Sequence, residues 1–292
     1  MVGSKDYCGM CKREFVASVQ TRVDTVPHKM VQSIRYLEDQ YLAHRVVYSD
    51  EAETYDWVNT QPKQADPKIE RKDILNGVAT GFVATGKAFT SKDGVAAAAA
   101  VRHFFAGPTI CECEGATTLV AFRAMLDALG DAAFNLVFNK IEMKLFSPKP
   151  ISTYFKSRSC TVENQVNAGD WVYIYNDQKG AFGDLAQFVK KGGAASGWNL
   201  VCTEVVNGGR RYLGFGLSTG QVIPKTLDEV KAAMVAPVKD ALKAKNREKN
   251  WENTPGLRTQ DISLKLKFAF EPDALRDVVV NCATAGTSLV YV

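Results

Sequence analysis

Apolar residues recur at helical spacing through the first half of the chain and at alternating spacing through the second. Met30, Ile34, Leu37 and Tyr41 mark one stripe of a helix over about 27–47, with Pro27 suited to its first turn. The polar stretch over 49–66, with Pro62 inside it and Pro67 just beyond, reads as a loop. Helical patterning resumes over about 71–89 and again over 95–105. The Gly107-Pro108 pair breaks what precedes it, and a long helix begins near Cys113. Leu119, Val120, Phe122, Met125, Leu126 and Leu129 form its stripe, which runs to about Phe138.

The run Ser147-Pro148-Lys149-Pro150 closes this helical half. Strands are predicted over 171–175, 198–206 and 212–217. Thr226 and Glu229 then form a capping box that opens one more helix, kinked at Pro237. Over 262–270, Ile262, Leu264, Leu266, Phe268 and Phe270 alternate with Ser263, Lys265 and Lys267, the pattern of a half-buried strand. Further strands are expected over 278–280 and 289–292. Helices first and strands later predict an α+β protein. It reads as one elaborated domain over 1–292, helical over about 1–150 and strand-rich over about 151–292.

Composition narrows the function classes. The chain has 292 residues, 46% hydrophobic and 23% charged, which is ordinary for a globular protein. A net charge of +4, without a basic run interleaved with aromatics, gives no support for a nucleic-acid partner. No apolar run approaches the ~20 residues that span a bilayer, so no membrane span is expected. Seven cysteines, with no apolar signal core in the first residues, suggest reduced thiols in a cytoplasm.

Cys113 is the candidate nucleophile. A cysteine in the first turn of a buried helix meets free backbone N–H groups and the positive end of the helix dipole, which favour a thiolate. The competing reading is a buried, inert thiol. A nucleophilic cysteine needs a proton acceptor. The candidates are His103, ten residues upstream on a helical segment, Glu112 beside the cysteine, and Glu204. Glu204 shares side-chain parity with Cys202 and Trp198 along one predicted strand and is the preferred partner. A carboxylate beside the thiol raises its pKa, so the two groups would share one proton as a coupled pair.

Other motifs carry less. The 81–88 segment resembles a phosphate-binding loop, but Ala88 stands where a hydroxyl would hold magnesium. Cys8 and Cys11 have the spacing of half a zinc site, and Cys111 with Cys113 makes a poor second pair. A terminus carrying two thiols is the simpler reading, and no metal or cofactor is expected.

The run from Gly107 to Cys113, followed by Ala116-Thr117-Thr118-Leu119-Val120, resembles the active-site segment of the bacterial spore-coat transglutaminases. In that family a Glu-Cys pair opens a helix after a Gly-Pro, and the helix continues like 124–131 here. Phe134-Asn135 and Phe138 are similar to its continuation. The segment Gly169-Asp170-Trp171-Val172-Tyr173-Ile174 with Asn176, and later Tyr212, Gly214 and Gly216, resemble following strands. The resemblance covers roughly 101–216.

It implies a papain-like, NlpC-type core, in which a cysteine-bearing helix packs on an antiparallel sheet; the extra C-terminal strands read above lie beyond the resemblance. It also implies acyl transfer from a protein glutamine side chain to a lysine amine, or to water as deamidation. Cys113 would be the nucleophile, Glu112 the adjacent acid, and backbone N–H groups at the helix start the oxyanion donors. Two departures stand out. Gly197-Trp198-Asn199 replaces a Gly-Glu-Asn segment, and Phe215 before Gly216 replaces a histidine before glycine. The alternative is therefore a catalytically inactive relative that serves as a structural or interaction protein.

Overall fold

The structure, a computed structural model, describes residues 9–48, 78–79, 81–85, 88–144, 148–177, 197–244 and 255–285. Among them the helices are α1 (Gly9–Val23), α2 (Val26–Leu42), α3 (Ala97–Ala106), α4 (Cys113–Leu129), α5 (Asp131–Val137), α6 (Leu227–Ala244) and α7 (Pro272–Ala285). The strands of the first half are β1 (Val46–Tyr48), β2 (Val78–Ala79), β3 (Phe82–Thr85), β4 (Ala88–Ser91), β5 (Thr109–Cys111) and β6 (Glu142–Lys144). Those of the second are β7 (Phe155–Ser159), β8 (Trp171–Asn176), β9 (Gly197–Val206), β10 (Gly209–Leu213) and β11 (Ile262–Phe270). The α+β expectation therefore holds.

Five antiparallel strands in the order β10-β9-β8-β11-β7 form the main sheet. Side chains alternate across a strand, and both faces of this sheet are covered. Trp171, Val201, Leu213 and Phe268 join the larger core with Met30, Ile34 and Leu37 of α2 and Leu119, Val120 and Met125 of α4. Val172, Ile174, Leu200, Cys202 and Leu264 face the other way, onto Val230, Met234 and Val235 of α6. Each large aliphatic side chain buried in this way contributes roughly 1.5–3 kcal/mol, which is how an amphipathic stripe selects its layer.

A smaller three-stranded sheet leads into the cysteine. Strand β5 pairs in parallel with β1, and the register sets Tyr48 beside Cys111. The chain reaches β5 through Gly107 at φ +71, where a Cβ would lie 2.3 Å from the Arg45 carbonyl oxygen. Only glycine fits that close approach.

Several expectations are corrected. The first helix ends at Leu42, and the β-branched Val46 and Val47 form a strand instead of a last helical turn. An unexpected helix, α1, covers the segment containing Cys11, whereas Cys8 lies outside the described residues. Where 71–89 is described it is strand with a turn at Gly81, not helix, and β3 and β4 form an antiparallel hairpin closed at Thr85↔Ala88. The candidate phosphate loop falls on that hairpin, with Gly86 and Lys87 outside the described residues. The long helix is interrupted at Gly130, φ +79, which separates α4 from α5. The strand expected over 212–217 runs instead over Gly209–Leu213.

At the C-terminus, 278–280 lies in α7, where Leu275, Val279 and Cys282 make a buried helical stripe. β-branched residues there follow tertiary burial rather than strand propensity. Residues 289–292 are outside the described set. The strand expected over 262–270 forms as β11, inserted in the main sheet between β8 and β7. The capping box forms as expected: Thr226 N–H donates to the Glu229 carboxylate at 2.6 Å, and Glu229 N–H donates to Thr226 Oγ1 at 3.3 Å. No described helix is long and apolar enough to cross a membrane.

Candidate functional site

Cys113 is the first residue of α4 and is half-buried, where the larger core meets the second one. Glu112 precedes it as the N-cap. Its carboxylate accepts from the Glu114 N–H at 2.6 Å and the Gly115 N–H at 2.5 Å. Those two donors were expected to serve an oxyanion, and the cap occupies them instead. Gly115 leaves room for this cap, since a Cβ would lie 2.8 Å from Glu112 Oε1 and 3.0 Å from Cys111 Sγ and would press on the capping carboxylate.

The sheet supplies the cysteine's hydrogen-bond partner. Asn199 of β9 donates from Nδ2 to Cys113 Sγ at 3.3 Å, and Asn199 Oδ1 accepts from the Trp171 indole N–H at 2.9 Å. Burial pushes the Cys113 thiol up to about 12, and the Glu112 charge adds to the rise; hydrogen bonds from Asn199 oppose it. Glu114, beside it in the first helical turn, is pushed up to about 7 by partial burial and by Glu112. Tyr173 of β8 is raised to about 12 by burial and by the charge of Cys113. Tyr48 is raised too, by its complete burial first and then by the charges of Cys113 and Glu38.

One wall of the site is aromatic. Phe215 stacks on Tyr48 with centroids 4.3 Å apart, and Tyr48 donates to the Phe215 carbonyl at 2.7 Å. The turn carrying Phe215 is anchored by Glu38 of α2, whose carboxylate accepts from Gly216 N–H and Ser218 N–H, each at 2.7 Å. Burial raises Glu38 to about 7 against those bonds. Gly216 has φ +76, and a Cβ there would lie 2.4 Å from the Tyr48 ring.

The expected partners fare differently. Glu112 is at the site, but as a helix cap. Glu204 is held by Arg35 of α2 at 2.6 Å. Its parity with Cys202 is broken because the β9–β10 register shifts between Arg211 and Tyr212, so one more residue of β9 intervenes. Cys202 points into the second core, whereas Glu204 reaches a helix of the larger one. His103 sits exposed on α3, its ring beside Gly81 at the start of the β3–β4 hairpin. Asn199 and Glu114 were not singled out from sequence as partners. The available signals were an amide in an otherwise apolar strand and a second acid in the first helical turn.

Trp198 and Phe215 stand where the resemblance has an acid and a histidine. Both are buried, and Trp198 donates its indole N–H to the Phe215 carbonyl at 3.1 Å. Among the described residues, Cys111, Cys113, Cys160, Cys202 and Cys282 are free thiols, and no group of three or more His, Cys, Asp or Glu is placed to hold a metal ion. No protein-family model matches the chain, and a search of curated proteins returns no match.

Proposed function

We propose that Cys113 is the nucleophile of a transglutaminase-type acyl transfer on a papain-like core, with Glu114 as its proton acceptor. The observation that carries this reading is a half-buried cysteine at the head of a buried helix, its sulfur held by a sheet amide, with a carboxyl at about 7 one residue away. A carboxyl raised towards neutrality suits general acid–base work. In the first step the sulfur bonds to the carboxamide carbon of a protein glutamine while Glu114 accepts the thiol proton. Glu114 then returns that proton to the departing nitrogen, and ammonia leaves a thioester. A lysine amine attacks the thioester carbon and gives a proton to Glu114, the C–S bond breaks, and Glu114 passes that proton to the departing sulfur, re-forming the thiol. Water in place of the amine completes a deamidation.

The test is incorporation of a labelled primary amine into a glutamine-bearing protein by the whole chain and by its Cys113→Ala variant. Incorporation lost in the variant, with a thioester mass on Cys113 in the parent, is the expected result. Equal incorporation by both proteins ends the proposal.

A second reading has its own support. Trp198 and Phe215 fill with aromatic packing the positions that the resemblance assigns to an acid and a histidine, and the Cys113 thiol resists ionisation. On that reading the chain is an inactive relative that keeps the scaffold for an interaction. It predicts no amine incorporation by the parent and alkylation of Cys113 no faster than that of a free thiol.

A further inference from the structure

We infer that Trp171 locks Asn199 as a one-way hydrogen-bond donor to the Cys113 sulfur, making Asn199 the group that steadies the thiolate and Trp171 the residue that positions it. The inference rests on the reading of Cys113 as the nucleophile. The three side chains come from β8, β9 and the head of α4. The sheet register pairs Tyr173 with Asn199 and Trp171 with Val201, which brings Trp171 and Asn199 together diagonally on one face.

The direction of the relay follows from donor chemistry. An asparagine amide by itself is ambiguous, because its oxygen and nitrogen have nearly the same shape. An indole N–H only donates, so the atom it meets at 2.9 Å is Oδ1. The amide nitrogen is then turned to the sulfur at 3.3 Å, with protons to give and no lone pair to offer. Both Trp171 and Asn199 are buried, so water does not readily compete for either bond.

Two consequences follow for the thiol. Its own proton has no acceptor on the Asn199 side and is directed at its other neighbours. The titratable groups that act on it or respond to it are Glu112 and Glu114 at the head of α4, Cys111 on β5, Tyr48 on β1 and Tyr173 on β8. The carboxylates disfavour a thiolate, whereas Asn199 favours one.

The experiment is the rate of iodoacetamide alkylation of Cys113, resolved by peptide mass spectrometry, from about pH 7 to 10. It compares the parent with Asn199→Ala, Asn199→Asp and Trp171→Phe. Loss of one hydrogen bond to a charged sulfur slows alkylation at fixed pH by about tenfold to a hundredfold. Asn199→Asp, near-isosteric but acceptor-only when ionised, slows it more than Asn199→Ala does. Trp171→Phe frees the amide to turn and gives a smaller shift in the same direction. A purely structural role does not produce that order.

If Asn199→Ala fails to fold by circular dichroism, Asn199→Asp and Trp171→Phe carry the test. An unchanged or faster profile in Asn199→Asp overturns the inference. Amine incorporation by the parent is measured alongside. Its absence together with the ordered shifts defeats the acyl-transfer reading alone, and its presence without them defeats this inference alone.

Discussion

The Arg35 guanidinium meets the Glu204 carboxylate at 2.6 Å, joining helix α2 to the far end of β9. This ion pair takes the acid that strand parity pointed toward the cysteine and commits it to holding a helix on the sheet. Both side chains are 38% exposed, so solvent screens the attraction.

Glu204→Gln is therefore expected to leave amine incorporation unchanged and to alter stability by no more than about 1 kcal/mol. Urea denaturation and the incorporation assay read the two quantities on the same preparations. A collapse of activity in a folded Glu204→Gln protein would return Glu204 to the site.

Glu114 is expected to act only when ionised. Incorporation should rise with pH through about 7, the value to which burial and Glu112 bring this carboxyl. Glu114→Gln should remove that limb and lower the rate by about 10²–10⁴, the usual worth of a positioned acid or base. Steady-state rates across pH check this, and a parent profile flat around neutrality contradicts it.

Glu112→Ala tests the cap. Two backbone N–H groups lose their acceptor, with an expected destabilisation of about 1–2 kcal/mol. The same change removes the largest charge that opposes a Cys113 thiolate, so alkylation of Cys113 should become faster. Thermal unfolding and alkylation kinetics together separate this from simple loosening, which gives no directional shift in the pH profile.

Glu38 links folding to pH. Its native value is raised from 4.5 to about 7, so the folded chain holds this proton more tightly than the unfolded chain. The stability it contributes is fully present below pH 4.5 and is lost as pH rises through about 7, by about 3 kcal/mol in all. The parent should thus lose stability over that window, and Glu38→Gln should lose less. Identical slopes in denaturation curves would show that Glu38 is not the group responsible.

Local spacing determined much of this molecule. The apolar stripe of α4, the break at Gly107-Pro108, the Thr226–Glu229 box and the strands β8, β9 and β11 are legible because each depends on residues a few positions apart. The same local reasoning put Cys113 at a helix start facing the sheet. It failed where tertiary packing overrode a short signal, as with the strand hairpin over 82–91 and the valines of α7, whose periodicity is decided by what they pack against.

Only the tertiary structure decided which way side chains face. In β11, Leu264 and Phe268 share parity yet lie in different cores, because the register with β8 shifts between Leu264 and Leu266. In β9 a comparable shift turns Glu204 away from Cys202. One inserted residue resets the alternation of every side chain beyond it. The sulfur's partner was decided in the same way. Asn199 reaches Cys113 through a strand register and a helix docking, neither of which has a signature at the positions themselves.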